Sequence, residues 1–109
     1  MTAARALVSG GFFDAAVGVA YFAGYHAAVA IVMVAGGAPN ETGIWTHRWL
    51  HRRFEEVSES HELNNRLRAL YQSRLNATYT VGLVRSRDTE GPLADAEALC
   101  ILARSRLRM

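Results

Sequence analysis

The stretch FFDAAVGVAYFAGYHAAVAIVMV, from Phe12 to Val34, decides the fold that we expect for this chain. It is apolar almost throughout, and Asp14 near its beginning and His26 near its middle are its strongly polar side chains. A run of glycine, proline and asparagine between residues 36 and 40 then ends the pattern. An apolar stretch of this length, bounded by such residues, predicts one long helix.

The same region is long enough to be considered as a membrane span. From Ala15 to Ala38 it covers 24 residues, and a bilayer core of about 30 Å needs roughly 20. However, most of these residues are Ala, Gly and Val, and His26 in hydrocarbon would need a specific partner. We therefore expect the central helix of a soluble bundle, with no membrane partner.

The remainder of the chain shows helical rather than alternating periodicity. Four substantial helices with short connections are typical of an antiparallel, up-down four-helix bundle. We expect an all-α fold of this kind, with a short extra N-terminal helix, as a single domain over residues 1–109. The predicted segments besides the long helix are a first helix from Ala3 to Val8, a third from Ile44 to Val57, a fourth that Ser60 caps and that ends near Gly82, a loop from Arg85 to Gly91, and a last helix from Pro92 to Leu107.

Composition narrows the class of protein. Half of the 109 residues are apolar and 20% are charged, which excludes an intrinsically disordered chain. Cys100 is the single cysteine, so no disulfide can form within the chain. The sequence opens without a signal-peptide pattern, and we expect a cytoplasmic protein. All 12 basic residues are Arg, which a biased genome explains better than function does.

Arg74 breaks the apolar pattern of the fourth helix. It follows Leu70 by four residues and precedes Thr78 by four, which places it on the stripe expected to face the core. An unpaired buried guanidinium is costly, so Arg74 should meet a carboxylate, a group of carbonyls, another subunit or a bound anion. The alternative is an Arg whose stem packs while its head reaches water.

The histidines allow weaker inferences. His26 lies among aromatic residues and is more typical of a hydrogen-bonded core histidine than of a catalytic base. His47 and His51 are four residues apart and could share a metal ion. They lack the intervening Glu of a zinc protease and an obvious third ligand, so we expect neither a metal nor another cofactor.

Several segments, in order, resemble the HEPN domains (higher eukaryotes and prokaryotes nucleotide-binding). The run from Asp14 to Ala28 is similar to their second helix, where an aromatic pair, a small residue and an aromatic-His-Ala-Ala sequence follow one another. Thr46-His47 and the run from Leu70 to Tyr79 resemble later signatures of the same family. The resemblance spans nearly the whole chain.

This resemblance implies a helical bundle that commonly dimerises and is often encoded beside a minimal nucleotidyltransferase as a toxin–antitoxin pair. Active members are metal-independent ribonucleases, in which an Arg holds the scissile phosphate and a His a few residues later moves protons. Arg74 matches that Arg, and Tyr79 stands where the His would be. The chain thus resembles a subgroup with Tyr in place of His, and we favour RNA or nucleotide binding over cleavage.

Three hypotheses follow from these patterns. The first is a dimeric HEPN-like nucleotide- or RNA-binding protein, the toxin-like component beside a nucleotidyltransferase antitoxin. The second is a non-catalytic interaction module in which Arg74 pairs with a carboxylate across a dimer. The third is an endoribonuclease in which His26 or His47 replaces the missing histidine. The expected catalytic residues are Arg74 and Tyr79, and the expected phosphate or nucleotide contacts are Arg74, Asn76, Tyr25, His26 and His47.

Overall fold

The computed structural model describes residues 1–79 and 84–107, without the side chain of Tyr79. These residues form helices and connections and contain no strand, so the all-α prediction is confirmed. In chain order the elements are α1 (Thr2–Ser9), α2 (Phe13–Val34), α3 (His47–Ser58), α4 (His61–Tyr79), a 3₁₀ turn (Ser86–Thr89) and α5 (Glu90–Leu107).

Local capping fixes where two of the helices begin. The Thr46 hydroxyl accepts a hydrogen bond from the Trp49 amide at 3.2 Å, so α3 begins at His47 rather than at the predicted Ile44. The Ser60 hydroxyl accepts from the Leu63 amide at 3.2 Å, which confirms Ser60 as the cap of α4.

The predicted loop from Arg85 to Gly91 is partly helical. A 3₁₀ turn occupies Ser86–Thr89, and the Asp88 carboxylate accepts a hydrogen bond from the Arg85 amide at 2.8 Å. This turn leads directly into α5, which begins at Glu90 and carries Pro92 in its first turn. The predicted end of α4 near Gly82 lies outside the described residues.

α2 lies at the centre of the molecule and packs against α1, α3, α4 and α5. Its small residues allow the neighbouring backbones to approach closely. Its length and mean hydropathy of 1.8 would also suit a membrane span, which is weak evidence because the core helix of a soluble protein meets the same criteria. The buried residues of α2 are Ala16, Val17, Ala20, Tyr21, Gly24, Ala27, Ala28, Ile31 and Val32.

Two glycines of α2 provide a matched test of this packing. A Cβ atom at Gly24 would overlap Leu70 Cδ2 and lie 3.3 Å from Leu99 Cδ1, whereas one at Gly18 would meet nothing within 4 Å. We expect Gly24→Ala to lower the free energy of unfolding by about 1–2 kcal/mol, since overpacking outweighs the gain in helix propensity. Gly18→Ala should instead raise it by about 0.5–1 kcal/mol.

Urea unfolding followed by circular dichroism measures both changes. Equal stabilisation by the two substitutions would show that α2, α4 and α5 are less closely packed around Gly24 than the structure shows.

Candidate functional site

The side chain of Arg74 lies between α4 and α2. Its Cζ atom is 4.8 Å from the centroid of the Tyr21 ring and 5.5 Å from that of Phe22. Arg74 is half-buried, and no carboxylate of the described residues forms an ion pair with it. The faces of the two aromatic rings stabilise this cation, and such contacts contribute about 0.5–2 kcal/mol each in general. The N–H groups of the guanidinium have no ionic partner among the described residues.

A cleft of about 310 Å³ opens beside this guanidinium. Asp14 and Ala15 also line a neighbouring cleft of about 490 Å³, which Phe12 and Phe13 flank. The lining combines the cation of Arg74 and the carboxylate of Asp14 with apolar side chains, which suits a ligand that carries both polar groups and a flat apolar part. The residues around the Arg74 cleft are Asp14, Ala15, Gly18, Phe22, Arg74, Ala77 and Thr78.

Phe22 forms the exposed wall of the cleft, with 53% of its surface accessible. His26 lies one helical turn further along α2 and is also exposed. The two rings are nearly parallel, at 19°, with centroids 6.2 Å apart. The structure therefore brings His26 to the same surface as Arg74, with Phe22 between them.

A second aromatic series leads away from the cleft into α3. Tyr21 contacts Tyr71 with ring centroids 6.0 Å apart, and Tyr71 stacks on His47 at 3.4 Å and 12°. His47 in turn meets the edge of His51 at 5.2 Å. Two tyrosine rings thus separate His47 from Arg74, which makes His47 a support of the site rather than a neighbour of the guanidinium.

The electrostatics of this series keep its histidines neutral. Burial, and secondarily the neighbouring His51, lower the pKa of His47 to about 4. Burial, and secondarily Arg68, also lower the pKa of His51, while Glu55 opposes the shift. His51 Nε2 accepts a hydrogen bond from Arg68 Nε at 2.8 Å, which requires that nitrogen to be unprotonated.

The Tyr21 ring beneath the guanidinium is also neutral at physiological pH. Burial raises the pKa of its hydroxyl, and the positive charge of Arg74 only partly opposes that effect. Tyr21 therefore contributes the face of a neutral ring to Arg74.

The other predicted site residues lie in different surroundings. The Tyr25 hydroxyl donates a hydrogen bond to the Trp45 carbonyl oxygen and joins α2 to the connection before α3. Asn76 is exposed and accepts a hydrogen bond from Gln72 Nε2 at 3.1 Å. Residues that are two positions apart on a helix differ by about 200° in direction. Asn76 and Arg74 therefore point to different sides of α4. The side chain of Tyr79 lies outside the described residues.

Metal chemistry receives no support from side-chain clustering. Within residues 1–79 and 84–107, no three His, Cys, Asp or Glu side chains lie close enough together to hold a metal ion. His47 Nδ1 is buried without a hydrogen-bond partner in that part of the chain.

Sequence reasoning missed the roles of Tyr21 and Phe22 in holding Arg74. In the sequence, Tyr21 and Phe22 stand out only as aromatic neighbours of His26. The one signal for a contact elsewhere was that consecutive residues on a helix point to different sides. That both rings meet Arg74 depends on the register of α2 against α4, which the pattern of one helix does not specify.

No protein-family model, no curated protein and no solved structure matches this chain.

Proposed function

We propose that this chain is a HEPN-like protein that binds RNA or a nucleotide, with Arg74 contacting a phosphate group. The observation that carries the proposal is the half-buried guanidinium held on two aromatic rings, without an ion pair among the described residues. A guanidinium presents a planar fork of donors that binds phosphate in a bidentate way. The rings fix its position before the ligand arrives, which lowers the entropic cost of binding.

Comparison with Arg53 shows why Arg74 is distinctive. Arg53 also lies over an aromatic ring, 4.4 Å from the centroid of Trp49. Its Nη1, however, donates to both carboxylate oxygens of Glu56, at 2.9 and 3.1 Å. Arg53 is therefore ion-paired within α3, whereas Arg74 forms no ion pair with the described residues.

The wider parts of the proposal rest on the family resemblance. They are a cytoplasmic homodimer built from an antiparallel four-helix bundle with α1 as an extra helix, paired as a toxin-like component with a nucleotidyltransferase antitoxin. The contacts between α2 and α4 run in opposite order along the two helices, from Thr78 near Asp14 to Leu70 near Gly24, and this supports the antiparallel arrangement.

RNA cleavage is a separate matter from binding. Phe22 lies between His26 and Arg74 on the described aromatic surface. A general base must reach the proton that it removes, and this arrangement favours binding as the main function.

The test of the proposal is the affinity of Arg74→Gln for a labelled single-stranded RNA, measured by fluorescence anisotropy. We expect a loss of about 10- to 100-fold, because hydrogen bonds to charged groups contribute about 1.5–3 kcal/mol. Arg53→Gln is the matched control, because it also removes a cation from an aromatic face, and it should leave the affinity nearly unchanged.

Equal losses in Arg74→Gln and Arg53→Gln would indicate a general effect of charge and contradict a phosphate site at Arg74. Both variants must also keep the wild-type unfolding midpoint, so that a loss of affinity is not caused by unfolding. Incubating labelled RNA with the protein and EDTA, then analysing the products for 2′,3′-cyclic phosphate ends, tests cleavage independently.

A second candidate function is a structural interaction module. Phe22, Met33 and Val34 are large apolar residues of α2 that are exposed in the single chain, and Ile101 is exposed on α5. Exposed apolar surface of this kind is typical of a subunit interface. Sedimentation equilibrium of the wild type and of Arg74→Gln separates the candidates, since loss of assembly without loss of RNA affinity would favour the module.

A further inference from the structure

We infer that the exposed ring of Phe22 is a stacking platform for one unpaired base, so that the site takes single-stranded rather than double-stranded nucleic acid. This inference rests on the proposed function, because it places the base of the same nucleotide whose phosphate Arg74 contacts. The supporting observations are the exposure of the ring, its two flat polar neighbours and its position on the wall of the cleft.

The face of Phe22 is only loosely covered by its neighbours. Its centroid is 6.2 Å from that of His26, whereas the stacked rings of His47 and Tyr71 are 3.4 Å apart. The guanidinium carbon of Arg74 is 5.5 Å away, further than its 4.8 Å from Tyr21. A flat aromatic ligand can therefore lie against Phe22 without displacing a tightly stacked partner.

The chemistry of a nucleotide matches this arrangement. Every base has an apolar face that stacks on aromatic side chains, and its phosphate is joined to it through a single sugar. The guanidinium carbon of Arg74 is 5.5 Å from the Phe22 ring, so the phosphate of a base stacked there can reach this cation, whose charge is complementary to it. In a duplex the base faces are already stacked on their neighbours, so a duplex could use this platform only by extruding a base.

Four other aromatic rings of the described chain each lack one of these features. Tyr21 is buried, Tyr71 is covered by His47, and Trp49 is covered by Arg53, which Glu56 neutralises. Phe12 is even more exposed than Phe22, at 64%, but no cation of the described residues lies over it. Phe12 is therefore a suitable control for exposure alone.

The experiment compares three probes: a labelled single-stranded RNA, the same strand annealed to its complement, and an abasic strand with the same number of phosphates. We expect the wild type to prefer the single strand over the other two. Phe22→Leu keeps an apolar side chain but removes the flat face, and it should weaken single-strand binding about 5- to 100-fold. Phe22→Trp should retain the affinity, and Phe12→Leu should not change it.

Several results would overturn the inference and are distinguishable from failure of the phosphate site. Wild-type affinity in Phe22→Leu, with a loss still present in Arg74→Gln, would remove the base platform and leave the phosphate contact. If the wild type bound the abasic strand or the duplex as tightly as the single strand, the base platform would also be removed and the phosphate contact would remain. Conversion of a dimer to a monomer by Phe22→Leu, with unchanged RNA affinity, would assign the ring to a second copy. Absence of binding to every probe would remove the proposed function itself.

Discussion

Acidification from pH 7 to pH 4 is expected to lower the free energy of unfolding by about 2–3 kcal/mol through His47 alone. Burial and the adjacent His51 lower the pKa of His47 to about 4 in the folded chain, against an ordinary value of 6.5. Above pH 6.5 the ring is neutral in both states and contributes no pH dependence. Below pH 6.5 the unfolded chain binds a proton that the folded chain does not, so stability falls until about pH 4 and then levels off.

The lowering of the His47 pKa from 6.5 to about 4 corresponds to about 3.4 kcal/mol. We expect the smaller change of about 2–3 kcal/mol because His47 is partly exposed and solvent weakens the effect. The lowered pKa of His51 acts in the same direction. Titration of the carboxylates is superimposed on this change, so the wild-type profile by itself does not isolate His47.

His47→Phe provides the required control. It keeps a flat ring against Tyr71, removes the titrating group, and removes the buried Nδ1 that lacks a partner among the described residues. We expect this variant to be at least as stable as the wild type at pH 7 and to lose about 2–3 kcal/mol less on acidification. Urea denaturation at several pH values between 7 and 4 measures the difference. Parallel profiles for the two proteins would contradict a neutral, buried His47.

Periodicity predicted the helices of this chain because each one buries a stripe against α2 or its neighbours. The run from Phe12 to Val34 gave α2 almost to the residue, and Ser60 marked the beginning of α4. The turn at Ser86–Thr89 was missed because it is held by local hydrogen bonds and lies in a polar segment that has no apolar period.

The candidate site was predictable only in part, for a different physical reason. Arg74 could be identified because a charge on an apolar stripe is costly unless something compensates for it. Its compensation by Tyr21 and Phe22 required the register between α2 and α4, which is set by tertiary packing. Similarly, the stacking of His47 on Tyr71 joins α3 to α4, and neither helix predicts it alone.

Phe54→Ala is expected to lower the free energy of unfolding by about 3–5 kcal/mol. Phe54 lies on α3 with none of its surface exposed, and it is the largest of the fully buried side chains in the described core. Its removal takes away apolar contacts and leaves a cavity that the surrounding helices cannot fill completely. For a domain of this size, the loss corresponds to a fall in Tm on the order of 15 °C or more.

Phe22→Ala is the matched control for this substitution, since it removes the same side chain from a position where 53% of its surface is exposed. We expect Phe22→Ala to lower the free energy of unfolding by less than about 1 kcal/mol, because much less apolar surface returns to water.

Thermal unfolding by circular dichroism, together with RNA binding well below both midpoints, separates loss of stability from loss of binding. Phe54→Ala should bind RNA in proportion to its folded fraction, whereas Phe22→Ala should remain folded and bind weakly. Similar losses of stability in the two variants would contradict the burial of Phe54 or the exposure of Phe22. They would also contradict the separation between the core and the proposed nucleic-acid surface.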